Sequence, residues 1–214
     1  MISQSLVTRI RKAFPESLRR ALVAALDEAY QEVSASHRPE RGWNNFTFGT
    51  GLWAIAMFQL QELAREEEWE LVEEVDNHRV TFVKDGLHLT CYKVGSTADE
   101  DIFASFPNND NAAKRLVANN RQFDLFGDRY QAGAPVDLVL AHLGTPERGL
   151  EAVYLCVPSA VASDDRISEW AHAELLWSRG SRAEVGHGAA DLAAEVPIER
   201  PVIRLKIPRA ADHG

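Results

Sequence analysis

Cysteine is scarce: Cys91 and Cys156 are the only two in 214 residues. That pair cannot build the disulfide framework of a small secreted domain, and its wide separation matches no zinc or redox spacing. Two buried free thiols in a reducing cytoplasm are expected instead. Long hydrophobic runs are also missing. No stretch approaches the roughly 18 consecutive apolar residues of a membrane span, and the N-terminus has no apolar centre followed by a small-residue cleavage site. The expectation is a cytoplasmic protein without a membrane partner. Positive charge is the third shortage, since 23 Lys and Arg face 32 Asp and Glu for a net charge of −9. A balance of that sign opposes nonspecific attraction to phosphate backbones, so nucleic acid is not an expected partner. The lysines are Lys12, Lys84, Lys93, Lys114 and Lys206, far fewer than the arginines, which with the Ala-rich tail suggests a GC-rich bacterial genome.

Signature motifs are absent as well. No Gly-x-Gly-x-x-Gly follows a strand pattern, no Gly-x-Ser-x-Gly elbow supports a nucleophilic serine, and no cofactor is expected. A nuclease of the Asp, Asp/Glu-x-Lys kind needs a carboxylate two residues before Lys93, where Cys91 stands. Hydrophobic content of 45% and charged content of 26% are ordinary for a globular chain. The length suits one α+β domain over 1–214, comprising a helical arm over 1–36, a surface linker over 178–200 and an edge strand over 201–208.

What is present is organised around 136–158. Two dense apolar runs flank Thr145-Pro146-Glu147-Arg148-Gly149, which predicts a hairpin buried on both faces. A second hairpin is predicted over 80–94, because Asp85-Gly86 suits a type I′ turn and its flanks are β-branched or aromatic. Alternation there sets Leu87, Leu89, Cys91 and Lys93 on one face and His88, Thr90, Tyr92 and Val94 on the other. The two hairpins are expected to share a mainly antiparallel sheet covered by the N-terminal helices.

Those helices show their period clearly. Leu6, Ile10 and Phe14 mark a short amphipathic helix over 3–14, and Leu18, Leu22, Leu26, Tyr30 and Val33 mark a longer one over 16–35. Residues 37–50 hold Pro39, Gly42, Asn44, Asn45 and Gly49 and read as a loop. Thr50 would cap the next helix, which enters the core from Leu52; Gly49-Thr50-Gly51 is a weak phosphate-cradle pattern, since no Lys or Arg follows it. The acidic stretch 66–76 reads as a solvated face. A helix capped by Asn109 or Asp110 should carry Leu116 and Val117 inward, and 166–177 is favoured as a third strand beside the central hairpin, with a short helix as its rival.

Two sets of candidate residues follow. His142 lies in an apolar strand just before Arg148, and if His88 and Tyr92 face the same side they would assemble a His–Tyr–Arg site for acid–base or phosphodiester chemistry. Whether their faces coincide is open at this level, and a hydrogen-bonded structural histidine is the competing reading. Three scattered histidines, His88, His142 and His172, offer no metal spacing, so no metal is expected. The second set is Arg41, Trp43, Asn45, Phe46 and Phe48, whose aromatic rings in a loop suit a protein partner or a homo-oligomer contact. The layout resembles, in a general way and through no motif, small acidic proteins of prophage, phage-defence or toxin–antitoxin operons. The expected function is a protein-interaction or regulatory module of such a bacterial system, the alternative being a small RNA- or nucleotide-directed enzyme.

Overall fold

The computed structural model describes residues 4–74, 79–100, 135–161 and 167–180, together with Ile102, residues 116–118 and Asn120. The chain divides into a unit over Met1–Ser181 and a second over Arg182–Gly214. The second unit lies outside the described residues, and so do the expected edge strand 201–208 and nearly all of the expected linker. Ser178 itself closes the last strand of the sheet.

Two helices open the chain, α1 over Gln4–Ala13 and α2 over Glu16–Ser36. Leu6, Ile10 and Phe14 are fully buried, and Arg9 Nη2 donates to the Asp85 carbonyl at 2.7 Å, tying α1 to the far hairpin turn. The α2 stripe Leu18, Leu22, Leu26, Tyr30 and Val33 is buried throughout, as its period requires. A short 3-10 turn over Pro39–Arg41 leads into α3, Asn45–Glu66.

This start corrects the expected loop over 37–50 and the expected cap at Thr50. The Asn44 side chain accepts from the amides of Phe46 and Thr47, and Thr47 Oγ1 accepts from the Asn44 amide at 2.8 Å. That reciprocal box supplies the partners that the first helical amides lack, so the helix begins seven residues before the apolar run that announced it. Gly49, Thr50 and Gly51 are therefore helical, the Thr50 hydroxyl donates back to the Phe46 carbonyl, and no loop remains to cradle a phosphate.

Among the described residues six strands follow in one sheet, in chain order: β1 Glu70–Glu74, β2 Arg79–Lys84, β3 Leu87–Gly95, β4 Val136–Thr145, β5 Gly149–Val161 and β6 Ile167–Ser178. Each neighbouring pair is antiparallel except β3 and β4, which run parallel. The α+β architecture with N-terminal helices on a mainly antiparallel sheet is thus present, with both predicted hairpins in it. Asp85 and Gly86 take φ of 52° and 71°, the paired left-handed conformation of a type I′ turn. The parallel step arises because some forty residues separate β3 from β4, long enough for a crossover that returns to the same end of the sheet. β1 is the strand the charge pattern concealed, since Glu70, Glu73 and Glu74 read as solvated face while their backbone pairs with β2.

β4 sits at the centre and is buried from Val136 to Gly144. One face of the sheet, carrying Leu87, Leu89, Leu138, Leu140, Val153 and Leu155, packs on the three helices. The other, carrying Val94, Val139, Ala141, Ala152 and Cys156, packs on Ile102, Leu116 and Val117 of the crossover. Gly144 lets α2 and β5 both come close to β4, for a Cβ there would collide with the Gly149 carbonyl and the Tyr30 ring.

Candidate functional site

Parity along the central strands decides the fate of the histidine set. In the parallel register His88 lies opposite Asp137, whereas His142 lies opposite Lys93. Five steps along the strand separate Asp137 from His142, and an odd number of steps turns the side chain to the other face. His88 and Tyr92 therefore share the crossover side while His142 faces the helices. The expected convergence of these three does not occur, and the thickness of the sheet lies between them.

On the helix side His142 is buried, with its Nδ1 3.0 Å from Tyr30 Oη and the two rings edge to face at 5.6 Å. Burial pushes the His142 pKa down to about 3, with the positive charge of Lys93 adding to the effect, and burial raises that of Tyr30. Burial favours the neutral form of both groups, so the pair bridges α2 and β4 through its own hydrogen bond and is not placed to exchange a proton with a substrate near neutrality. Cys91 lies on the same side, buried with its thiol pushed up to about 12, and Cys156 is likewise free and buried with its thiol at about 12. Neither thiol has the thiolate character that nucleophilic chemistry demands.

On the crossover side His88 Nδ1 lies 3.3 Å from Asp137 Oδ1. The Asp137 backbone is gripped by buried Asn120, which accepts from the Asp137 amide at 2.8 Å and donates to the carbonyls of Asp137 and Pro158 at 3.1 and 2.9 Å. Tyr92 is half-buried against the same core. Arg148 sits away from both histidines, in the β4–β5 turn, with its Nη2 2.9 Å from Glu151 Oε2. Glu151 occupies a bulge in β5 and is 1% exposed; Arg179 Nε approaches its other oxygen at 3.0 Å. The two arginines compensate one buried carboxylate, which makes Arg148 part of a structural ion pair at the end of the sheet.

Two polar groupings escaped the sequence reading. Glu151 stands in an apolar run three residues after Arg148, and that spacing was the available signal. Arg19 Nη1 of α2 pairs with Glu174 Oε1 at 2.7 Å, and Glu174 Oε2 lies 3.4 Å from His172 Nε2. The i, i+2 spacing of His172 and Glu174 on one strand could have exposed that contact, but only once β6 was accepted as a strand. A shallow cleft between α2, α3 and the sheet is lined by Leu18, Leu22, Leu60, Trp69 and Phe82 among others, and the one ionisable side chain among its lining residues is Glu67. It supplies no acid–base pair. Among the described residues no three His, Cys, Asp or Glu side chains are placed to hold a metal ion, and no helix is long and apolar enough to cross a membrane.

The aromatic set divides differently. Phe48 is buried, its ring 6.0 Å from Tyr30 and 5.6 Å from His37, so it anchors α3 to α2 and is no surface residue. Arg41, Trp43, Asn45 and Phe46 are exposed, Phe46 at 79% of its surface, with the Trp43 ring resting edge-on against His37. Two further rings join them, because Trp53 and Phe58 are 43% and 53% exposed. The apolar run from Leu52 suggested a helix entering the core, and Leu52, Ala56, Leu60 and Ala64 do face inward, while Trp53 and Phe58 face out. Phe46, Thr50, Ala54 and Phe58 recur every four residues and all are exposed, forming one ridge with Trp53 beside it.

No family model matches the chain, and no match is found among the curated proteins or the solved structures.

Proposed function

We propose that the protein is an interaction module whose docking surface is the outward face of α3 together with Trp43. The observation that carries this reading is the exposure of Phe46, Trp53 and Phe58 on a single helix, with Trp43 just before it. Isolated apolar side chains on a surface are ordinary, but several large rings exposed on one element leave water-exposed area whose full burial stabilises by about 1.5–3 kcal/mol per ring. Aromatic side chains are also the commonest anchors at protein interfaces. Arg41 and Asn45 at the start of the helix, and Glu66 at its end, supply a polar rim of the kind that surrounds such a patch. The setting we propose is a bacterial cytoplasmic system of the toxin–antitoxin or phage-defence kind, supported by the arginine-over-lysine bias, the two free thiols and the general likeness of layout.

Hydroxyl-radical footprinting tests the reading. Phe46, Trp53 and Phe58 should be modified readily in the dilute purified protein and markedly less in intact cells expressing it at native level. Equal modification in both conditions would remove the proposal, because a docking surface must be covered somewhere.

A second reading, an RNA- or nucleotide-directed enzyme, now draws on the crossover side alone, where Asp137 faces His88 and Tyr92 lies four residues further along the same face of β3. His142 and Arg148 no longer contribute to it. An RNA-cleavage or nucleotide-turnover assay in which His88→Ala retains full activity would close it.

A further inference from the structure

We infer that the partner seated on α3 is a second copy of this chain, its own α3 packed antiparallel across the first about a two-fold axis at the level of Leu52. The inference rests on the docking reading above and names the occupant.

The ridge Phe46, Thr50, Ala54, Phe58 is spaced symmetrically about position 52. Under such a two-fold, Phe46 of one helix meets Phe58 of the other, and Thr50 meets Ala54. The order large, small, small, large gives a saddle. When ridges four residues apart pack against each other, the helices cross at about −50° with axes roughly 8–10 Å apart. Small side chains at the crossing allow that approach. The helices then diverge on either side, and at a rise of 1.5 Å per residue the phenylalanines stand roughly 9 Å from the centre, where the widening gap needs larger groups. A surface shaped to fit itself is what an isologous dimer requires.

The same ridge could pair in parallel, and charge disfavours it. Arg38, Glu40 and Arg41 precede α3 with a small positive excess, while Glu62, Arg65 and Glu66 close it with a small negative one, all exposed. An antiparallel arrangement brings the positive end of each helix to the other copy's negative end and opposes the helix dipoles; a parallel one stacks like charge on like. Arg65 pairs with Glu62 within the chain, which weakens the contrast without reversing it.

Sedimentation over a concentration series, with cysteine cross-linking, tests this. A reversible dimer is expected, and Phe46→Glu or Phe58→Glu should each weaken it roughly thirty-fold or more, the scale of losing a central anchor. Both positions are exposed, so the melting temperature of the monomer should hold. A Thr50→Cys protein mixed with an Ala54→Cys protein should form a disulfide-linked heterodimer under mild oxidation, faster than Thr50→Cys links to itself. Cys91 and Cys156 are buried and do not compete. A chain that stays monomeric at every concentration, a dimer indifferent to both glutamates, or faster self-linking of Thr50→Cys would each overturn the inference. A monomer whose rings are nonetheless protected in cells overturns this occupant and leaves the docking reading standing; a monomer whose rings are unprotected there removes both.

Discussion

The two faces of the central sheet treat histidine in opposite ways. On the helix side His142 is sealed beneath α2, bonded to one phenol and kept neutral by burial. On the crossover side His88 is partly open to solvent and rests against a carboxylate. Both residues come from adjacent strands of one sheet, so chemistry at these β positions is set largely by which layer covers that face. The helix side serves adhesion between layers. The crossover side keeps a histidine–carboxylate contact within reach of solvent.

That contrast can be broken at several strengths. The largest effect should come from Leu138→Ala, which empties a fully buried position on the helix side; a loss of about 3 kcal/mol is expected, read as a lower denaturant midpoint with an unchanged slope. A loss below about 1 kcal/mol would mean that the helices are loosely seated. Next is Tyr30→Phe, which keeps the ring and strands the His142 nitrogen, for about 2 kcal/mol. If that variant melts like the parent, the bridge between α2 and β4 carries no weight.

The pH dependence sharpens the same point. His142 has a folded pKa of about 3, below its ordinary value near 6.5, so the unfolded chain binds the proton first as pH falls. The neutral histidine's contribution is complete above about pH 6.5 and is lost progressively toward pH 3, with a slope of about 1.4 kcal/mol per pH unit from this one group. His142→Gln should flatten that part of the stability curve; an unaltered slope would show that other groups govern acid unfolding. The smallest effect is expected from His88→Asn, under about 1 kcal/mol, because a partly exposed pair is screened by solvent. A larger cost would shift structural importance to the crossover side.

Much of this was legible in the residue order. Period 3.6 over Leu18 to Val33 and the Asp85-Gly86 turn depend on contacts within a few residues, and local patterns record such contacts well. The aromatic loop, the acidic β1 and the outward rings of α3 were not legible for a shared reason. A sheet partner or a buried flank can each override propensity without leaving a mark on the segment it overrides. Asn44 with Thr47 was a readable capping box, yet the glycines after it suggested a loop.

By itself the chain determined its class of elements, the two hairpins and the hydrophobic identity of β4, since backbone geometry and local periodicity suffice for those. The parallel junction between β3 and β4, the placing of His88 and His142 on opposite faces, and the exposure of Phe46, Trp53 and Phe58 were settled only in three dimensions. Each depends on the register or the neighbour contributed by a distant segment, and a one-residue change in parity reverses the outcome.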